Sequence, residues 1–147
     1  MLKQITIYLI APLALLQLIQ LDHTNPKIDP DIELKAPAPV MKLLKNSCYD
    51  CHSNETKWPS YSYIAPISFG VVSHVNDGRK AMNFSEWKNI KDEQKIKRLK
   101  RAIETVKNGR MALPSYLDVH ESAKLSKDNK KVLTTWFEKE LKILEAN

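Results

Sequence analysis

Cysteine, glycine and strand-like patterns are scarce in this chain. Its 147 residues include two cysteines, three glycines and four histidines. One cysteine pair cannot form a disulfide-stapled scaffold. No run of alternating polar and apolar residues competes with the helical spacing of apolar positions, so we predict an all-α fold. A composition of 43% hydrophobic and 27% charged residues excludes a disordered chain and is sufficient for one small domain.

Charged residues are missing from one long stretch near the start. Residues 5–21 read ITIYLIAPLALLQLIQL, with Lys3 before the run and Asp22 after it. A core helix would show a polar face at helical period, and this run has none. A cleaved signal peptide and an uncleaved signal anchor both suit the length and flanks, and we favour the anchor because no clean cleavage site ends the run. We therefore predict a membrane helix over residues 1–21 and export of the remaining chain.

The remaining chain divides into a proline-rich segment and a helical domain. Four prolines between residues 26 and 39 predict an extended linker or strap over residues 22–39. Apolar spacing then predicts a helix over 40–46 and a helix that starts at residue 67 and ends near Gly78 or Met82. A third helix starts after an N-cap at Ser85 and stops at Gly109, and Ser126 caps a last helix. Residues 40–147 form the predicted domain, with long loops between its helices.

Both cysteines and one histidine lie within five positions, as Cys48-x-x-Cys51-His52. A dithiol redox pair usually lies at a helix N-terminus in a βαβ unit, which this chain lacks. A structural zinc site needs four ligands, and the other histidines are isolated. Covalent haem attachment uses the whole set, because two thiols add to the haem vinyl groups and the histidine becomes the proximal iron ligand. We predict one covalently bound haem c per chain.

The second axial ligand of the iron decides between classes of function. We favour Met111, because it lies in a loop after the predicted helix stop at 108–109 and far from His52 in the sequence. His74, His120 and an open position are the alternatives. A methionine ligand is typical of electron carriers, whereas an open position allows gases or peroxide to bind.

Three segments in fixed order carry a resemblance to a known family. They are CYDCHSNETKWPSYSYIAPIS, HVNDGRKAMNFSEW and GRMALPSYLDVHESAKLS. Together with the apolar start, they resemble the small membrane-anchored haem-binding domain of c-type cytochromes over nearly the whole chain. The resemblance implies a monohaem, cytochrome c-like helical domain with Cys48 and Cys51 bound to haem and His52 as proximal ligand. In that family proline usually follows the loop methionine directly, whereas here Ala112 follows Met111.

The resemblance also points to further cofactor contacts. Aromatic side chains around a haem exclude water, and their polar atoms can hydrogen-bond a propionate. Among the aromatic residues in the three segments we select Trp58, Tyr61 and Tyr116. Arg79 and Arg110 are candidate propionate partners, because a guanidinium pairs well with a carboxylate.

The expected function is single-electron transfer, without enzyme activity, at the periplasmic side of the inner membrane. We expect redox partner proteins, membrane attachment through the N-terminal helix, and a monomer. The net charge of +6 is concentrated between residues 91 and 110. We expect this segment to form a solvated face, or a docking face for an acidic redox partner or for anionic lipid. Aromatic residues do not interleave this cluster, so nucleic acid is not expected. A five-coordinate haem gas sensor or peroxidase-like enzyme is the alternative function.

Overall fold

The computed structural model describes residues 2–146, with side chains from residue 7 onward. Within this range the chain forms helices and loops and contains no strand, which confirms the all-α prediction. Short 3-10 turns occur at Ser60–Tyr63, Phe84–Asn89 and Glu121–Ala123. The α-helices are α1 (Leu2–Leu16), α2 (Ala38–Ser47), α3 (Tyr49–His52), α4 (Ile67–Ala81), α5 (Asp92–Lys107), α6 (Pro114–Leu117) and α7 (Lys127–Glu145).

The N-terminal helix is shorter than the sequence predicted. Helix α1 has 15 residues with Pro12 inside it, and it ends at Leu16 instead of continuing to residue 21. Fifteen residues extend about 22 Å at 1.5 Å per residue, less than the ~30 Å apolar core of a bilayer. Across the described residues, every helix is too short or too polar to cross a membrane. The predicted transmembrane helix over residues 1–21 is therefore not found.

Residues 17–37 contain no α-helix and lie as a strap across the domain. The side chain of Gln17 donates to the carbonyl of Ala65 at 2.9 Å and accepts from its N–H at 3.0 Å. Further along, Asn25 donates to the carbonyl of Thr56 at 2.9 Å. The N–H of Leu34, a buried residue, donates to the carbonyl of Phe84 at 2.8 Å. Polar side chains and backbone groups thus fix the proline-rich segment to the domain.

The core lies between α2, α5 and α7. Leu44, Leu99 and Leu133, one from each helix, have no exposed surface, because the apolar stripes of these helices face one another. The Ser126 hydroxyl caps α7 as predicted, accepting from the N–H of Asn129 at 3.1 Å. The packed helices position the junction of α2 and α3 and the loop that follows α5.

Helix α5 begins later than predicted. Ser85 is not its N-cap: residues Phe84–Asn89 form a 3-10 turn capped by the Asn83 side chain, and α5 starts at Asp92. The buried Ser85 hydroxyl instead accepts from the N–H of Asn54 at 3.0 Å. A residue distant in sequence therefore uses the hydroxyl that the local pattern assigned to a helix cap.

Candidate haem site

The two cysteines and the histidine lie on one helical turn where α2 meets α3. The N–H of Cys48 donates to Leu44 at the end of α2, and the Cys48 carbonyl accepts from Cys51 at 3.2 Å and from His52 at 2.9 Å. Residues three and four apart on a turn share a face. The turn therefore presents both thiols and the imidazole together, and both cysteines are free and half-buried.

The imidazole of His52 is held in one tautomer. Its Nδ1 lies 2.9 Å from the carbonyl oxygen of Met82. A carbonyl can only accept, so Nδ1 carries the proton and Nε2 has a free lone pair, as a metal-binding histidine requires. Burial lowers the pKa of His52, opposed by the Met82 hydrogen bond, so the ring is neutral at neutral pH. This histidine is suited to bind iron through Nε2.

Both thiols are protonated at neutral pH. Burial raises the pKa of Cys48 to about 12, and the charge of Cys51 adds to the effect. Burial and the Asp50 carboxylate raise the pKa of Cys51 to about 11, against a smaller opposite effect of Arg79. Reactive dithiols work as thiolates with lowered pKa values. The electrostatics of this pair therefore differ from those of a dithiol oxidoreductase.

A close contact between α3 and α4 supports the turn that carries the cysteines and the histidine. Gly78 of α4 lies against the backbone of Cys51, and a Cβ at this position would lie 2.8 Å from the Cys51 carbonyl carbon and 2.9 Å from its Cβ. Only glycine permits this approach. The sequence predicted Gly78 only as a possible helix end, whereas the helix continues to Ala81 and Gly78 instead permits the contact with Cys51.

The motif opens onto a cavity of about 540 Å³. Cys48, Cys51, His52, Met111 and Tyr116 all line it. Ligand pockets typically measure about 300–1,000 Å³. The structure therefore brings the predicted thioether-forming cysteines and both predicted iron ligands to one cavity. The donor set, an imidazole and a thioether sulfur, fits haem iron.

Met111 reaches the cavity through a turn at the end of α5. Gly109 ends the helix with φ of +75°, a left-handed conformation that favours glycine. The N–H of Met111 then donates back to the carbonyl of Thr105 at 3.1 Å. The loop therefore folds over the last turn of α5 and carries the methionine to the cavity wall.

A second cavity of about 350 Å³ continues from the first one. Both share Cys48, His52, Arg101 and Met111 in their lining. The second cavity has an apolar wall and a basic rim. Its apolar wall includes Met82, Phe84, Val106 and Phe137, and its rim is formed by Lys97, Arg98 and Arg101. A planar apolar group with charged ends matches this combination of surfaces.

Tyr61 lies in a third cavity of about 390 Å³, which shares Cys51 and Tyr116 with the first one. The Tyr116 hydroxyl donates to the Asp50 carboxylate at 2.7 Å, so this hydroxyl is already engaged. His120 stacks on Tyr116 with ring centroids 4.2 Å apart. His74 is exposed and lines both the first and the third cavity.

Trp58 and Arg79 are not among the residues that line the first cavity. Arg79 donates to the Ser53 carbonyl at 2.9 Å and to the Asn25 side chain at 2.8 Å, so it joins the strap to the domain. The Trp58 ring packs edge-on against His23, with centroids 4.7 Å apart. The exposed Arg110 pairs with Glu104. These contacts could not be predicted from the sequence, because the partners lie in the strap or in a neighbouring helical turn, whose positions only the fold determines.

Comparison with known proteins gives one match. Residues 11–139 match the model of a family described as a haem-binding domain. No curated protein and no solved structure matches the chain. The matched range includes the cysteine–histidine turn, the strap, the Met111 loop and most of α7.

Proposed function

Because the chain belongs to the haem-binding domain family, we propose that it is a monohaem c-type cytochrome that transfers single electrons. One observation carries the proposal: Cys48, Cys51 and His52 share a helical turn and open, with Met111, onto one cavity. Bound haem supplies a one-electron iron couple whose potential the protein sets. One motif of this kind in the chain corresponds to one haem.

Each residue of the site has a distinct role in this proposal. Cys48 and Cys51 would bind the cofactor through their sulfur atoms. His52 would bind the iron through Nε2, and the Met82 carbonyl fixes the orientation of its ring. Met111 would be the second iron ligand, and a methionine ligand raises the reduction potential. The apolar walls of the cavities exclude water, which also affects the potential.

Electron transfer needs no bound substrate, and we propose a carrier instead of an enzyme. The alternative is a five-coordinate gas sensor or peroxidase-like enzyme, with His74 as its acid–base group. His74 lines the same cavity as His52, which is the observation that favours this alternative. The two functions differ in whether Met111 would bind the iron or leave it open to a small ligand.

The proposed function also implies a location in the cell. Covalent haem attachment at a C-x-x-C-H motif normally takes place outside the cytoplasm, and the apolar run of residues 5–21 suits an export signal. We therefore propose a periplasmic location. Its partners would be redox proteins that exchange electrons with a monomeric carrier.

An absorption spectrum of the haem-loaded chain tests the proposal. The chain is produced in a host that attaches haem c, and oxidised spectra of the wild type, Met111→Leu and the control Met41→Leu are compared. Met41 packs against the core without lining the first or second cavity, and leucine preserves its volume in both variants. We expect the weak far-red band of an iron–methionine bond in the wild type and in Met41→Leu, and its loss in Met111→Leu.

Two results would change the conclusion. Identical spectra of the wild type and Met111→Leu, with rapid carbon monoxide binding to reduced wild-type iron, would replace the carrier by the sensor or enzyme. A chain that carries no haem after maturation, although it is folded, would refute covalent attachment itself.

A further inference from the structure

Helix α5 divides its basic residues into two groups. It carries six of them: Lys95, Lys97, Arg98, Lys100, Arg101 and Lys107. Three pair with acidic side chains: Lys95 with Asp92 at 2.8 Å, Lys100 with Glu145 at 2.7 Å and Lys107 with Glu138 at 2.6 Å. In the described part of the chain Lys97, Arg98 and Arg101 form no ion pair. The basic helix is thus neutralised at some positions and not at others.

The group without acidic partners is also the group at the site. Lys97, Arg98 and Arg101 line the second cavity together with Cys48 and His52, and Arg101 also lines the first cavity. None of the three paired lysines contributes to the lining of these two cavities. Position on the helix therefore separates the cations that pair with acidic side chains from the cations that line the cavity.

Three positive charges at one rim repel one another. Lys97 and Arg101 are four residues apart on the helix, a spacing at which like charges destabilise it. Arg98 is half-buried beside the apolar wall of Met82, Phe84 and Phe137, so water screens its charge less than the charges of the exposed Lys97 and Arg101. Negative charge bound at the rim would relieve the repulsion. Guanidinium groups bind carboxylates with paired hydrogen bonds, which makes a carboxylate the best-matched anion.

We propose that Lys97, Arg98 and Arg101 bind the two propionate carboxylates of the haem, an inference that rests on the proposed function. The apolar wall accommodates the ring of the cofactor, and the basic rim accommodates its acidic edge. These residues take the role that the sequence suggested for Arg79 and Arg110, which have other partners. Carboxylates of an acidic partner protein are the other source of the same chemistry.

The test measures the reduction potential as a function of pH in the purified haem-loaded chain, without any partner protein. The site variant is Lys97→Gln/Arg98→Gln/Arg101→Gln. The control is Lys91→Gln/Lys100→Gln/Lys107→Gln, which removes the same formal charge from residues outside the first two cavities. Nearby cations lower the pKa of a carboxyl group by about 1–3 units. The reduction potential should fall with rising pH as the propionates lose their protons. Loss of the cations raises the propionate pKa, so this fall should occur at a pH about 1–3 units higher than in the wild type.

The expected result is this upward shift in the site variant and a wild-type profile in the control. Arg101→Gln alone should shift the profile in the same direction by a smaller amount, which keeps the test valid if the triple variant does not fold. Attached haem with the same pH profile in every folded variant would overturn this proposal and leave the carrier function intact. After such a result, a separate measurement of the reaction rate with an acidic protein at several salt concentrations would show whether the cations bind a partner instead, since the site variant would then lose the salt dependence of the wild type. A wild type without haem would overturn both proposals.

Discussion

Replacement of Gly78 by alanine tests how the fold supports the cysteine–histidine turn. The added Cβ would overlap the Cys51 carbonyl oxygen and lie 2.8 Å from its carbonyl carbon. Overpacking of this kind costs about 1–3 kcal/mol, and the upper part of that range applies because backbone atoms cannot rotate aside. Alanine regains roughly 0.5–1 kcal/mol of helix propensity. We expect a net loss of about 2 kcal/mol in the free energy of unfolding.

Gly70→Ala is the matched control, because it lies in the same helix and a Cβ there meets nothing within 4 Å. It should stabilise the chain by roughly 0.5–1 kcal/mol. Urea unfolding followed by circular dichroism measures both variants, and haem staining measures covalent attachment. Gly78→Ala should also attach less haem, since α3 and α4 must separate to admit the methyl group. If Gly78→Ala matched the control in stability and haem content, the close contact would not support the site.

Two further predictions concern the Cys51 thiol and the strap. In the chain made without haem attachment, Cys51 should react with iodoacetamide about 100-fold more slowly at pH 8 than a cysteine with the ordinary pKa of 9.0, because its pKa is about 11 and thiolate is scarce. The rate should rise as the pH approaches 11, and a rate at pH 8 equal to that of a free cysteine peptide would contradict the assigned burial. His23→Ala should speed amide hydrogen exchange in residues 17–27 with little change in the α5–α7 core, since the His23 ring contacts the carbonyl of Ser62 at 2.8 Å and stacks on Tyr63 at 4.1 Å. Unchanged exchange in this segment would show that other contacts hold the strap.

The arrangement of the site explains how a small helical domain could hold a large cofactor. Helices α2 and α4 fix the turn of Cys48 and Cys51 from two sides, and the end of α5 turns the Met111 loop toward the same cavity. The binding groups therefore come from rigid elements or from a loop tied back to one. Under the proposed function, such preorganisation would keep the ligand geometry constant between oxidation states, which would favour fast electron exchange.

The sequence alone determined what depends on neighbouring residues. The Cys48-x-x-Cys51-His52 spacing places three binding groups on one turn, and helical periods identified Leu99 and Leu133 as core residues. The Ser126 cap followed from the same local rules. The sequence also predicted that Met111 lies in a loop after a helix that ends at a glycine. Gly109 adopts the positive φ that commonly ends a helix.

Only the tertiary structure decided what depends on residues far apart in the chain. The Met82 carbonyl that orients His52 lies 30 positions away, and Gly78 meets Cys51 across two helices. Arg79 was predicted to contact the cofactor, but in the structure it donates a hydrogen bond to Asn25 in the strap. The three cations at the cavity rim looked identical to their neighbours on α5, because their difference lies in which acidic groups or cavities face them. Sequence spacing specifies a helix face, whereas packing specifies what that face meets.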